Sequence, residues 1–328
     1  MHRLILPVAL VSGLILASPA RGQETCPAPP VAVVDITSNR FYSDKAHSIV
    51  DQAAWDRRMA SVKPLEDFRR EVTRFSSRGL AGSKAWSQCA GRWIAHWAAG
   101  SALLGRMNEN QAHYERRWAL TAIAMAYLMV KAEIPAADRT VIEPWLDRVA
   151  DAVTTEPTLR SRNPNNLTYW AGAALGAVAS ATGHAGHWSR ARTIYRDALT
   201  HIQPDGSLPR EVARGRMALH YHNFAIRPLV ILAELSERRG EAGYAAGNGA
   251  IHRLAVITFT GFGDPSAMTR LAGTEQRPLE RNALGWLAFY ETRFPGHLAG
   301  AAAVLGEKDI WDALTGGNMS LLARKGMP

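Results

Sequence analysis

The stretch Trp118-Ala119-Leu120-Thr121-Ala122-Ile123-Ala124-Met125-Ala126-Tyr127-Leu128-Met129-Val130 repeats apolar side chains at three- and four-residue spacing. That is the period of an α-helix and not of a strand. The same spacing recurs in residues 49–59, 68–75, 86–104, 141–153, 169–181, 194–202, 221–235, 251–259 and 284–294. Pro64, Pro135 and Pro164 stand where first helical turns would begin, and Gly79, Gly183 and Gly240 stand near stops. Only residues 31–36 have the β-branched look of a strand. Helices joined by short loops predict an all-α protein of stacked helical hairpins. No solenoid repeat and no low-complexity linker interrupts the chain, so residues 23–328 read as one domain.

The N-terminus narrows the choice of partner. Arg3 precedes an apolar run over residues 4–17, and Ala20 and Gly22 supply the small residues of a cleavage site before Gln23. The run is shorter than the roughly 18 residues of a membrane span, so residues 1–22 read as a signal peptide and the mature chain as periplasmic. No Leu-Ala-Gly or Leu-Ser-Gly triplet precedes Cys26, which argues against a lipid anchor. Lys and Arg exceed Asp and Glu by 38 to 29, a surface suited to an anionic partner. Export makes that partner an acidic polysaccharide in preference to nucleic acid, and a monomer is expected. Two cysteines are too few for a disulfide scaffold, an iron–sulfur cluster or a zinc module. In an oxidising compartment Cys26 and Cys89 are most simply a disulfide, with two buried thiols as the alternative.

Three segments carry chemistry. Arg214-Gly215-Arg216-Met217-Ala218-Leu219-His220-Tyr221-His222-Asn223-Phe224-Ala225 is polar and aromatic where a core helix would be apolar. On helical spacing Arg214 and Tyr221 share a stripe, and a neighbouring guanidinium favours a phenolate. In Asn165-Asn166-Leu167-Thr168-Tyr169-Trp170-Ala171-Gly172, Asn165 as helix cap would leave the Asn166 amide free to donate to a ligand oxygen. Gln111, Tyr114 and Trp118 place an amide, a phenol and an indole on one helix face, which suits a sugar groove. Each segment also has an ordinary packing explanation.

Together, Asn-Asn-x-x-Tyr-Trp-Ala-Gly, Asp-Gly-x-Leu-Pro-x-Glu (residues 205–211) and Arg-Gly-Arg-x-Ala-Leu-His-Tyr-His-Asn-Phe-Ala resemble the mannuronate-specific alginate lyase family. The resemblance extends to Cys26-Pro27-Ala28-Pro29-Pro30 and Gln88-Cys89-Ala90 and weakens after about residue 260. It implies an incomplete α/α toroid, a cleft for anionic sugar and a lid loop near the N-terminus that includes residues 37–44. It also implies pairing of Cys26 with Cys89, Asn166 and Arg214 on the substrate carboxylate, Tyr221 in proton transfer, and Gln111, Tyr114 and Trp118 on the sugar. Arg40, Tyr42, Arg216 and His220 complete the expected substrate contacts. The family pattern has His after the second Asn, where this chain has Leu167.

A lyase on a uronic-acid polymer removes the C5 proton and expels the oxygen from C4. The carboxylate must be neutralised first, which Asn166 and Arg214 can do. In mannuronate and glucuronate the proton and the leaving oxygen lie on one side of the ring, so Tyr221 could serve as base and then acid. Guluronate would need a second group across the sugar, where Leu167 stands. No cluster has metal-ligand spacing, and the chemistry calls for no cofactor. One rival is a binding protein of exopolysaccharide export that has lost turnover. The other is an inverting hydrolase, which needs two carboxylates about 6.5–9.5 Å apart.

Overall fold

A computed structural model describes residues 25–160, 164–306 and 308–327. The expected signal peptide, residues 1–22, lies outside the described residues. The first helix, α1 (Gln52–Leu80), fuses two of the expected segments, because Pro64 sits inside it and does not start a second helix. It begins where Asp51 accepts a hydrogen bond from the Ala54 amide, so residues 49 and 50 fall outside it. The next helices are α2 (Lys84–Ala99), α3 (Asn110–Val130), α4 (Ala136–Thr154), α5 (Asn166–Thr182) and α6 (Ala185–Thr200). After the single turn α7 (Pro209–Val212) come α8 (Ala218–Arg238) and α9 (Ala246–Gly263). Shorter pieces close the chain: α10 (Ser266–Ala272), α11 (Trp286–Arg293), α12 (Ala301–Leu305), the two-residue strands β1 (Trp311–Asp312) and β2 (Gly317–Asn318), and α13 (Met319–Lys325).

Consecutive helices pack as hairpins, α1 with α2, α3 with α4, α5 with α6 and α8 with α9. α1, α3, α5 and α8 also pack side by side as an inner row, and α11 and α13 lead from α8 back towards α1. The result is an α/α toroid. α5 sits in the middle of the row, apolar almost all round, and contacts α3, α4, α6 and α8. Gly172 lets that packing close: a Cβ there would lie 2.8 Å from the Ile194 side chain of α6.

Residues 31–36 are not a strand of a sheet. They run extended beside residues 103–108, exchanging Leu103 N to Val33 O at 2.8 Å, Gly105 N to Val34 O at 3.0 Å and Ile36 N to Arg106 O at 3.0 Å. The indoles of Trp93 and Trp97 donate to the carbonyls of Pro27 and Pro30 at 2.9 and 3.2 Å. The Cys26–Cys89 disulfide fixes the same segment to α2. It closes a loop of 63 residues, so its main effect is to restrict the unfolded chain. Replacing both cysteines by serine is expected to lower stability by about 2–4 kcal/mol, read as a fall in thermal midpoint by circular dichroism.

Candidate active site

The inner row opens into a cleft of about 420 Å³, within the usual range for ligand sites. α1 contributes Trp55, Arg58, Met59, Glu66 and Arg69, and α3 contributes Gln111, Tyr114 and Trp118. Asn166 and Leu167 come from the first turn of α5, and His220, Tyr221 and Phe224 from the first turns of α8. Arg214 joins them from the segment before α8, and Leu314 from the turn between β1 and β2. Phe41, Tyr42 and His47 reach in from a loop that covers one side. Its two limbs are joined by Ser43 N to Ile49 O at 3.0 Å and Asp51 N to Phe41 O at 2.9 Å.

Arg214 and Tyr221 do meet, but not as a helical stripe. Gly215 turns the chain with φ +56, residues 215–217 form a single 3-10 turn, and α8 begins only at Ala218. The Arg214 guanidinium lies 4.9 Å from the centre of the Tyr221 ring. The expected lowering of the phenol does not follow. Tyr221 is 9% exposed, and burial followed by its contact with Tyr42 pushes the phenol above its ordinary range, against the opposing pull of Arg214. Its hydroxyl donates to the Tyr42 hydroxyl at 2.9 Å and approaches the His47 carbonyl at 3.4 Å. The Arg214 Nη1 donates to the Ala46 carbonyl at 3.3 Å, so the covering loop engages both groups.

Asn165 caps α5 by accepting from the Leu167 amide at 3.0 Å, as its sequence position predicts. The side chain of Asn166 is not free to donate, however. Its backbone amide and its Nδ2 both donate to Glu211 Oε1, at 3.0 and 2.9 Å. Its Oδ1 is buried with no partner among the described residues. The other oxygen of Glu211 lies 3.6 Å from Arg214 Nε, so one buried carboxylate ties together the amide and the guanidinium. Burial pushes that carboxyl above its usual range, with Asn166 and Arg214 opposing.

A second network sets the height of the α5 terminus. Glu156, buried, accepts from Arg116 Nε at 2.9 Å and from Arg117 Nε at 2.6 Å. Arg117 also donates to the Leu167 carbonyl at 3.0 Å.

Gln111, Tyr114 and Trp118 share one face of α3 and all line the cleft. Trp118 meets Phe224 edge-on at 5.7 Å. His220 lines the cleft as well, its ring perpendicular to that of Tyr221 at 5.5 Å. Arg40 and Arg216 fall outside the lining. Arg40 folds back on its own loop, donating from Nε to the Tyr42 carbonyl at 3.0 Å, and Arg216 is exposed on the surface. The α1 residues, Phe224, His47 and Leu314 escaped the sequence reading. For Trp55 and Met59 the helical spacing of residues 49–59 was a signal, whereas nothing local places Leu314 here.

Comparisons with known proteins agree with this geometry. Fold and cleft together define a polysaccharide lyase of the α/α-toroid class. The family model described as alginate lyase matches residues 35–268, and the chain belongs to that family. A polysaccharide lyase of Stenotrophomonas maltophilia (strain K279a) is 37% identical over 98% of both chains. An alginate lyase of Cobetia marina is 28% identical over 78% of this chain and 70% of the relative. Among solved structures, alginate lyase A1-III from Sphingomonas species A1 superposes with a TM-score of 0.78 at 27% identity, covering 91% of this chain and 86% of that one. A His-to-Ala variant of alginate lyase A1-III complexed with tetrasaccharide gives a TM-score of 0.80 at 25% identity, over 90% and 85% of the two chains.

His222 adds a pH dependence to this architecture. It is fully buried, its Nε2 accepts from the Leu208 amide at 2.9 Å and its Nδ1 meets the Ala218 carbonyl at 2.7 Å, the pattern of a neutral imidazole. Burial lowers its pKa to about 4, and the same cause takes His220 to about 4. Between the ordinary value near 6.5 and that value the unfolded chain binds the proton and the folded chain does not, so stability falls as pH falls. Going from pH 7 to pH 4 is expected to cost about 2–3 kcal/mol for His222, and His222→Asn should flatten the slope by that amount in urea titrations.

Proposed function

We propose that this lyase acts on a uronic-acid polymer, mannuronan or alginate or a polyglucuronate, by syn β-elimination. Arg214 neutralises the carboxylate, which acidifies the C5 proton, while Asn166, whose amide is held by Glu211, braces the guanidinium through that shared carboxylate. Tyr221 protonates the leaving oxygen at C4 and, in a one-phenol cycle, first takes the C5 proton. Gln111, Tyr114, Trp118, Tyr42 and His220 hold the sugar. The observation that carries this reading is the convergence of Tyr221, Arg214 and Asn166 on one cleft, with the guanidinium 4.9 Å from the phenol ring. The phenol is engaged by Tyr42 and the His47 carbonyl, so substrate must take the place of these two contacts to reach it.

The N-terminal segment supports export to the periplasm, and the uninterrupted toroid supports one catalytic domain over residues 23–328, for which a monomer is the proposed state. The presence of Leu167 in the cleft favours a second reading, a protein that binds exported polysaccharide without cutting it.

Purified protein with polymannuronate, polyguluronate, polyglucuronate and alginate should yield unsaturated product, seen in the ultraviolet, from the first and third and from mannuronate blocks of the last. Binding without unsaturated product between pH 5 and 10 would establish the second reading. Tyr221→Phe is expected to lower kcat by about 10²–10⁴ while polymer affinity stays within a few-fold. Wild-type turnover in that variant would place the proton carrier elsewhere.

A further inference from the structure

The elimination needs a base at the start of the cycle, and burial favours the protonated form of Tyr221, the form that gives a proton away. Besides the phenols of Tyr221, Tyr42 and Tyr114, which are weak bases while protonated, the groups in the cleft that could take a proton are His47, His220 and Glu66. Glu66 lies between two guanidinium groups, 3.9 Å from Arg58 and 3.7 Å from Arg69, which stabilise its charge and weaken it as a base. His220 is a weak base, burial having lowered its pKa to about 4. Leu167 offers no acceptor.

His47 is different. It lines the cleft from the covering loop, half-buried, and neither ring nitrogen has a hydrogen-bond partner among the described residues. Its ring lies 5.3 Å from that of Tyr42, whose hydroxyl is bonded to the Tyr221 hydroxyl at 2.9 Å. Its backbone carbonyl is 3.4 Å from the same hydroxyl, and its ring rests against the Tyr42 ring that the phenol is bonded to, so the residue stands beside Tyr221. The backbone holds it there at φ +57, a conformation that few residues other than glycine, asparagine, aspartate and histidine accept readily.

We propose that His47 is the base that takes the C5 proton, while Tyr221 donates to the leaving oxygen at C4. The inference rests on the lyase reading above and gives the proton abstraction to His47 in place of the one-phenol cycle. The C5–H electron pair becomes the C4–C5 double bond, and the C4–O bond breaks with its pair on oxygen. That oxygen takes the Tyr221 proton, and the imidazolium then returns its proton to the tyrosinate, so the cycle closes without a co-reactant. Both transfers take place on one face of the sugar, which is the geometry of mannuronate and glucuronate. Arg214 and Arg40 oppose protonation of His47 and Asp44 favours it, with burial the largest influence and downward, so the imidazole is neutral at pH 7. Tyr42 and Tyr221 are the remaining titratable groups facing it.

The test compares kcat, KM and pH profiles of wild type, His47→Asn and His47→Gly on whichever uronate polymer the wild type cleaves. Asparagine and glycine both accept the left-handed backbone, so the loop keeps its path. Expected are a drop in kcat of about 10²-fold or more with KM within a few-fold, and loss of the acidic limb of the wild-type kcat profile, which should fall below pH 6.5. Added imidazole should restore turnover of His47→Gly at least tenfold. Wild-type kcat in His47→Asn, or a loss of kcat with the acidic limb intact and no rescue by imidazole, overturns the assignment while leaving the lyase reading in place. Absence of unsaturated product from the wild-type protein overturns both.

Discussion

The carboxylate of Glu211 is enclosed by the groups that need it. Asn166 gives it a backbone and a side-chain N–H, and Arg214 stands 3.6 Å from its other oxygen. A buried carboxylate without such partners would cost several kcal/mol, so Glu211 depends on the Asn166 amide and on the part-buried guanidinium beside it. That requirement joins the turn before α8 to the first turn of α5, the two places from which the candidate chemistry comes. Because the amide is anchored by its nitrogen, its buried oxygen is the atom left over. In the proposed reaction the donor towards a substrate carboxylate is therefore chiefly Arg214.

The opposite wall follows the same principle. Glu115 of α3 is buried, and its Oε1 accepts from Arg58 at 2.6 and 2.8 Å, from Gln111 at 3.1 Å and from Ser38 at 3.2 Å. One acid thus fixes a residue of α1, a cleft residue of α3 and the root of the covering loop. Arg58 in turn lies over the rings of Phe41 and Trp55, at 5.2 and 4.9 Å. Most guanidinium groups around the cleft are committed to protein carboxylates, which is why the basic excess of the whole chain says little about the site itself.

The helical class and the toroid were legible because long amphipathic segments write their period into the sequence, and the residues of α3 that share a face could be read from spacing alone. Arg214 was found for a partly mistaken reason: the glycine after it ends the register, and tertiary packing brings the guanidinium back over the ring. Pro64 misled because it stands near the middle of the 29-residue α1, where tertiary contacts on both sides hold the helix together despite the lost hydrogen bond. The state of Tyr221 was not legible, since the contest between burial and a neighbouring charge is settled by depth, which sequence does not encode. His47 escaped for a related reason. It lies in a loop without periodicity, and only the hydrogen bonds that fold the loop over the cleft bring it near the phenol.

The covering loop is leashed at both ends. Upstream, Ile36 is pinned to Arg106 and Ser38 to Asn108, on a segment that the Cys26–Cys89 bridge fastens to α2. Downstream, Asp51 is committed to the first turn of α1. Asn39 and Arg40 are tied as well, to Asn108 and Glu109, so only residues 41–50 lie between these moorings, and the contacts of Tyr42 and His47 with Tyr221 and of Ala46 with Arg214 belong to no helix–helix seam. In the proposed function a long polymer is therefore admitted by parting these loop contacts alone, with the packing of the toroid left as it is.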